Sequence, residues 1–308
     1  MSDPQAHGSH AIDIGADPTD PGTGTEAPTN TGPRPFPGLG VRLTYGFGTD
    51  RGLRRELNED SFIAVEPVFA VADGMGGHEA GEVASSICVR TLGASSIIGS
   101  RTPQFSAGDL EELIREADQR IRSEAGGHAG TTLTGVLLVE ESGAPYWLFF
   151  NVGDSRTYRL SNGTFGQVSV DHSEVQELVD IGRITEEQAR THPRRHVVTR
   201  ALGTGDDAEA DFWLMPVEEG DRILLCSDGL SGEITDEGIC TILSDVHDPQ
   251  EACDELIAAT LRSGARDNVT VIVIDATDLG DRDAERTTVP PGGLFAADGN
   301  GVVPEGPA

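Results

Sequence analysis

Acidic residues stand at the ends of short apolar runs in this chain, and its chemistry starts from that placement. Phe69-Ala70-Val71-Ala72 delivers Asp73, followed by Gly74-Met75-Gly76-Gly77. Leu148-Phe149-Phe150-Asn151-Val152-Gly153 delivers Asp154, and Ile223-Leu224-Leu225-Cys226-Ser227 delivers Asp228 and Gly229. Asp267 comes just before an apolar run at 269–274, and Glu59 and Asp60 precede another at 61–65. If those runs are neighbouring strands, their ends form one acidic rim. Carboxylates a few Å apart repel strongly unless positive charge lies between them. A divalent cation is the simplest remedy. The donors are all oxygens, with no His or Cys at metal-ligand spacing, which suits Mg²⁺, Mn²⁺ or Ca²⁺ far better than Zn²⁺.

Positioning such a rim requires strands, and the sequence supplies them. Runs rich in β-branched and aromatic residues at 41–47, 61–65, 68–72, 132–139, 146–152, 157–160, 167–170, 222–226 and 269–274 predict strands. Amphipathic stretches at 79–97, 109–125, 173–180, 186–191, 236–244 and 249–263 predict helices. Their order lacks a regular βαβ alternation and predicts a layered α+β fold, two antiparallel sheets with helices outside. Residues 1–40 hold seven Pro, seven Gly and a single aromatic, Phe36, so they cannot repay their ordering entropy and are expected to be a disordered tail. From 278 to 308 the chain returns to Gly, Pro and charge and is expected to be a flexible tail. One packed domain at 41–277 is left between them.

Composition excludes several functions. A net charge of −30 and a pI near 4.4 argue against a sequence-independent grip on nucleic acid, which needs a cationic footprint. All 22 basic residues are Arg, so Schiff-base chemistry and a Lys-based phosphate loop are excluded, and any phosphate clamp must be Arg. Cys88, Cys226, Cys240 and Cys253 are widely spaced and are expected to be thiols, mostly buried. The first residues carry no cationic start or apolar signal stretch, and no long apolar run follows, so a cytoplasmic protein without a membrane partner is expected. Asp171-His172-Ser173 holds the residue types of a hydrolase triad, but neighbours in an extended segment point to opposite faces and cannot form the relay.

Seven segments in order carry a resemblance. They are Arg55-Glu56-Leu57-Asn58-Glu59-Asp60, Val71-Ala72-Asp73-Gly74-Met75-Gly76-Gly77-His78, Gly130-Thr131-Thr132, Asn151-Val152-Gly153-Asp154-Ser155-Arg156, Asp171-His172-Ser173, Leu225-Cys226-Ser227-Asp228-Gly229-Leu230 and Asp267-Asn268-Val269-Thr270. The set resembles the motifs of the metal-dependent, type 2C protein serine/threonine phosphatases in their bacterial form. The resemblance implies a four-layer αββα sandwich of two antiparallel sheets flanked by helices. It implies two Mn²⁺ or Mg²⁺ ions, with Asp73 bridging them, Glu59 and the Gly74 carbonyl on one, and Asp228 and Asp267 on the other. Asp60 would hold ion-bound water, Arg55 would clamp the phosphoryl oxygens, and Asp154 resembles the ligand of a third, weaker ion. Phosphoserine and phosphothreonine would then be hydrolysed directly by an activated water, with phosphorylated proteins and cognate Ser/Thr kinases as partners of a monomer.

One departure bears on mechanism. Met75 stands where the eukaryotic form has a His suited to protonating the leaving group, so His172, His78 or water on the third ion is expected to serve instead. The insertion at about 173–203 resembles the flap that family members carry beside the site. Thr287-Thr288 are candidate phosphorylation sites in the C-terminal tail. A phosphatase or phosphodiesterase acting on small molecules and an inactive binding module are the rival classes. The complete set of carboxylates counts against the inactive module.

Overall fold

The computed structural model describes residues 39–76, 80–95, 105–125, 129–205 and 209–277, and the two tails, His78 and Thr287-Thr288 lie outside these, save Leu39 and Gly40. Leu39 is already buried in the core, so packing starts before the expected residue 41. Eleven strands are formed there. They are β1 (Arg42–Asp50), β2 (Asp60–Val65), β3 (Val68–Gly76), β4 (Ala129–Thr131), β5 (Leu133–Glu141), β6 (Ala144–Val152), β7 (Arg156–Ser161), β8 (Thr164–Gln167), β9 (Asp211–Pro216), β10 (Arg222–Cys226) and β11 (Val269–Thr277). One sheet runs β1-β11-β10-β7-β8 and the other β2-β3-β5-β6-β9, with β4 paired to the end of β3, and every pairing is antiparallel.

Alternate residues of the central strands face two different cores, which is why these strands read as unbroken apolar runs. In β3, Phe69 and Val71 point between the sheets while Val68, Ala70 and Ala72 point outward. In β11, Ile272 and Ile274 join the inter-sheet core while Val269, Val271 and Val273 face outward. Helices α1 (Ala80–Gly93) and α2 (Ala107–Glu124) cover the outer face of the second sheet through Ile87, Leu92, Leu110, Ile114 and Ile121. On the first sheet, α6 (Asp236–Asp245) and α7 (Pro249–Ser263) do the same through Ile239, Leu243, Cys253 and Leu256. Four layers result, as the resemblance implied. Short helices α3 (Glu174–Asp180) and α4 (Glu186–Arg190) belong to the insertion, and a single turn, α5 (Asp228–Ser231), follows β10.

The strand expectations are corrected at 167–170 and at β9, and the three-residue β4 is a further strand that they did not contain. The run at 167–170 is not a strand: β8 ends at Gln167, and the N–H groups of Val168 and Ser169 both turn onto the Thr157 carbonyl at 2.8 and 3.4 Å, a bulge that bends the chain away. β9 was not expected. Asp211–Pro216 is a half-exposed edge strand ending in Pro, without alternation, and becomes a strand only through its ladder with β6. The helix boundaries follow capping chemistry readable in sequence. For example, Asp248 accepts from the N–H groups of Gln250 and Glu251 with Pro249 in the first turn of α7, and Gly264 at φ 123° ends it.

Candidate metal centre

The strand ends named by the sequence converge. Asp60, first residue of β2, pairs directly with Asp73 of β3. The start of β11 lies beside the ends of β1 and β10, and the start of β7 beside the end of β10, which brings Asp267, Asp228 and Asp154 to the same end of the sandwich. A cleft of about 540 Å³ opens there, lined by Glu59, Asp73, Asp154, Asp228 and Asp267 together with the Gly74 backbone.

Each acid is held by its main chain. The Asp73 N–H donates to Thr132 Oγ1 at 3.1 Å, and its carbonyl accepts from Thr131 Oγ1 and the Thr132 N–H, both at 2.9 Å. Gly74 is required: a Cβ there would lie 2.2 Å from the Gly81 carbonyl oxygen and 2.5 Å from that of Glu59. Gly229 is packed equally hard, since a Cβ would meet the Asn268 carbonyl oxygen at 1.9 Å, which fixes Asp228 against the Asp267-Asn268 turn. Asn268 is buried and ties three points of the 51–59 segment to the start of β11: its Oδ1 accepts from the Glu59 N–H, and its Nδ2 donates to the carbonyls of Arg51 and Leu57, all at 2.9 Å.

The electrostatics fit a cation site. Asp60 and Asp73 face each other across one ladder, a placement that is unfavourable for two like charges. Loss of water, then repulsion from Asp60, Asp228, Asp154 and Asp267, holds the Asp73 carboxyl well above the usual range. Burial and neighbouring carboxylates likewise raise Asp154, and Asp228 is raised by burial and Asp267. Asp60 is pushed up to about 7, chiefly by burial, even though Ser227 Oγ and Thr270 Oγ1 donate to its Oδ2 at 2.8 and 2.7 Å. Its Oδ1 is buried without a hydrogen-bond partner, an orphan acceptor of the kind that a cation or its bound water satisfies. The oxygen donors and their unrelieved charge therefore suit a hard divalent ion. Among the described residues no three His, Cys, Asp or Glu side chains form a closed cage. The Arg55 guanidinium supplies positive charge between two of the acids, with Nη2 2.6 Å from Asp267 Oδ2 and Nη1 3.9 Å from Glu59 Oε2.

The structure brings together Arg55, Glu59, Asp73, Gly74, Asp154, Asp228 and Asp267, with Asp60 just beneath. It does not bring His172 to the cleft. That ring is buried: Nδ1 accepts from the Gly153 N–H at 3.1 Å, Nε2 lies 3.1 Å from Asp211 Oδ2, and burial lowers its pKa. Because its main-chain N–H also donates to the Gly153 carbonyl at 2.9 Å, His172 clamps the turn that carries Asp154. Sequence reasoning placed Asn268 in a motif and Arg195 and His196 in the flap insertion but gave none of them a role of its own; Arg195 and His196 line the cleft. Within the motif His-Pro-Arg-Arg-His at 192–196, the density of charged and imidazole groups was the available signal.

Two sheets delivering carboxylates to one cleft, stacked between helical layers, define a scaffold for hard divalent cations. The chain belongs to the protein phosphatase 2C family, whose model matches residues 48–268. It is 40% identical over 241 residues to the serine/threonine protein phosphatase PstP of Mycobacterium tuberculosis, covering 77% of this chain and 45% of that protein, so it spans about half of that relative's length. It is 37% identical over 254 residues to the serine/threonine phosphatase stp of Listeria monocytogenes, covering 77% of this chain and 98% of that protein. The crystal structure of the PstP catalytic domain in complex with two manganese ions superposes with a TM-score of 0.70 at 37% identity, covering 77% of this chain and all of that one.

Proposed function

We propose that the chain is a metal-dependent protein serine/threonine phosphatase, releasing phosphate from phosphoserine and phosphothreonine of other proteins. The observation that carries this reading is the convergence of five carboxylates from separate segments on one cleft, with an unpaired buried oxygen of Asp60 behind them. Membership of the phosphatase 2C family and likeness to a relative seen with two manganese ions support it. Asp73 and Asp228, with Glu59, the Gly74 carbonyl and Asp267, are the residues that would hold two Mn²⁺ or Mg²⁺ ions, and Asp154 a third. When bound, such ions lower the pKa of water and offset charge on the phosphoryl oxygens.

The protein's own groups have separable tasks. Arg55, exposed at the mouth, exchanges its contacts with Asp267 and Glu59 for two parallel hydrogen bonds to the phosphoryl group. Asp60 orients water through Oδ1, since Oδ2 is already saturated by Ser227 and Thr270. His172 is a positioning residue for the Asp154 turn and not the acid, because both ring nitrogens are engaged away from the cleft. Phosphoproteins, and the kinases that produce them, are the corresponding partners. Phosphate release from a phosphothreonine peptide with Mn²⁺, with Mg²⁺ and with chelator tests the reading. Release that persists in chelator, or release from a nucleotide but not the peptide, refutes it.

A further inference from the structure

Cleaving a serine or threonine phosphate leaves an alkoxide, which departs poorly unless it gains a proton as the bond to phosphorus breaks. Among the described residues the cleft offers few sources for that proton. Its five rim carboxylates are assigned above to cations. Glu233, although partly desolvated, is held below the ordinary carboxylate range by hydrogen bonds from Arg266. The guanidinium groups of Arg55, Arg195 and Arg266 keep their protons throughout the working range. His196 is the remaining lining side chain of a type that both holds and releases a proton near neutrality.

Its placement is specific. Arg195 and His196 are the two central residues of a turn closed by the Val197 N–H on the Arg194 carbonyl at 3.1 Å. That turn sits on the stem of the insertion. The Val197 carbonyl accepts from the Glu174 N–H at 2.9 Å, Val198 bridges to Ser173, and Arg194 forms an ion pair with Glu174. His196 thus projects from a fastened base into the cleft, which it lines together with Asp228. Among the described residues no group hydrogen-bonds its ring nitrogens, in contrast to His172. The other charged groups lining the cleft with it are Arg195 on its own turn, Glu233 and Arg266 after α5, Arg55, and the five rim carboxylates Glu59, Asp73, Asp154, Asp228 and Asp267.

We propose that His196 is the leaving-group acid, its imidazolium giving a proton to the seryl or threonyl Oγ as the P–Oγ bond breaks. The electron pair of that bond stays on Oγ, which leaves as a neutral hydroxyl. The water oxygen makes the new bond to phosphorus and sheds a proton to solvent, and His196 is reprotonated from solvent, so the products are inorganic phosphate and the unmodified side chain. The assignment rests on the phosphatase reading.

The test compares two esters in the full-length Mn²⁺-loaded chain: a phosphothreonine peptide, whose alkoxide needs the proton, and p-nitrophenyl phosphate, whose phenolate leaves without one. In His196→Asn, kcat/KM on the peptide falls on the order of 10²-fold, and the loss on the aryl ester is at least about tenfold smaller. The alkaline limb of the peptide kcat profile disappears in the variant. With Mg²⁺ and a non-hydrolysable phosphonate peptide, the His196 imidazole resonance, assigned by its loss in the variant, shifts on binding. Equal loss on both esters, no loss on either, or an unresponsive resonance overturns the assignment of His196. A wild-type chain that hydrolyses neither ester refutes the phosphatase reading instead.

Discussion

Asp73 and His196 line the same cleft but are held there in different ways. Three hydrogen bonds with Thr131 and Thr132, one donated by the Asp73 N–H and two accepted by its carbonyl, lock the peptide groups of Asp73 inside a sheet whose both faces are covered. His196 stands on a turn in the insertion, tied by one main-chain pairing and by an Arg194–Glu174 ion pair whose Arg side chain is 61% exposed. Charge is treated oppositely in the two places. The rim concentrates carboxylates in poor contact with water, whereas the segment from His192 to Arg200 carries Arg194, Arg195 and Arg200 and no acid. The rim is thus strained by its own charge and rigid, suited to ions. The His192–Arg200 segment of the flap is cationic and anchored at the surface, suited to an anionic substrate. Changes at the rim should act on cation binding and the attack on phosphorus, and changes at the flap stem on substrate handling and the placement of His196.

The largest effect is expected at the rim. Asp228→Asn or Asp73→Asn should lower kcat/KM on a phosphothreonine peptide by on the order of 10³-fold, since several kcal/mol of transition-state stabilisation is lost with a cation ligand. The same substitutions should raise the melting temperature of the chelator-treated chain, because each removes one of several crowded negative charges. An Asp73→Asn variant with full activity would break the contrast between rim and flap at its root.

Asn268→Ala should follow, with an effect on both stability and activity. Three hydrogen bonds to Glu59, Arg51 and Leu57 vanish from a buried site, which costs roughly 2–3 kcal/mol in denaturant unfolding and loosens Glu59 and the Arg55 loop together. Arg55→Ala should cost about 10²-fold in kcat/KM with the melting temperature little changed, since its pairs with Asp267 and Glu59 are half-exposed. A drop in stability matching that of Asn268→Ala would assign Arg55 to structure and not to phosphate.

The difference in charge also predicts a pH dependence. Glu59, Asp60, Asp73, Asp154 and Asp228 all have folded pKa values raised above those of ordinary carboxylates, Asp60 to about 7. The folded chain therefore binds more protons than the unfolded one over this interval, so the stability these groups contribute is full below the ordinary carboxylate pKa and is lost as pH rises through the raised values. In chelator, melting temperatures should fall from pH 5 to pH 8, and saturating Mn²⁺ should flatten the slope. A metal-free chain more stable at pH 8 than at pH 5 would contradict the crowding.

Much of the rim was legible because Asp at the end of a doubly buried run leaves a mark in one dimension: the Phe69–Ala72, Leu148–Val152 and Ile223–Cys226 runs became strands, and their terminal acids met. The role of Asn268 was not legible, because its partners Leu57 and Arg51 lie 211 and 217 residues away and nothing local marks a three-way hydrogen bond. The engagement of the His172 ring and the placement of His196 in the cleft were equally hidden. Which imidazole is engaged depends on Asp211 and on the stem pairing of Glu174 with Val197, contacts made only after folding. β9 escaped for the same reason, being an edge strand created by β6.

The smallest effect sharpens the comparison most. Arg194→Ala removes the charged fastening of the flap turn but leaves the Val197–Arg194 and Glu174–Val197 main-chain bonds in place. A half-exposed ion pair contributes about 0–1 kcal/mol, so global stability should barely move. The turn bearing Arg195 and His196 should nevertheless sample more positions, raising KM for a phosphothreonine peptide severalfold. The wild-type KM should rise with added NaCl as the pair is screened, while the variant responds less. Kinetics at low and high ionic strength, run beside Asp228→Asn, check this. If Arg194→Ala lowers kcat as deeply as the rim variant does, the flap stem is part of the catalytic frame, and the division between a rigid rim and a surface-anchored flap fails.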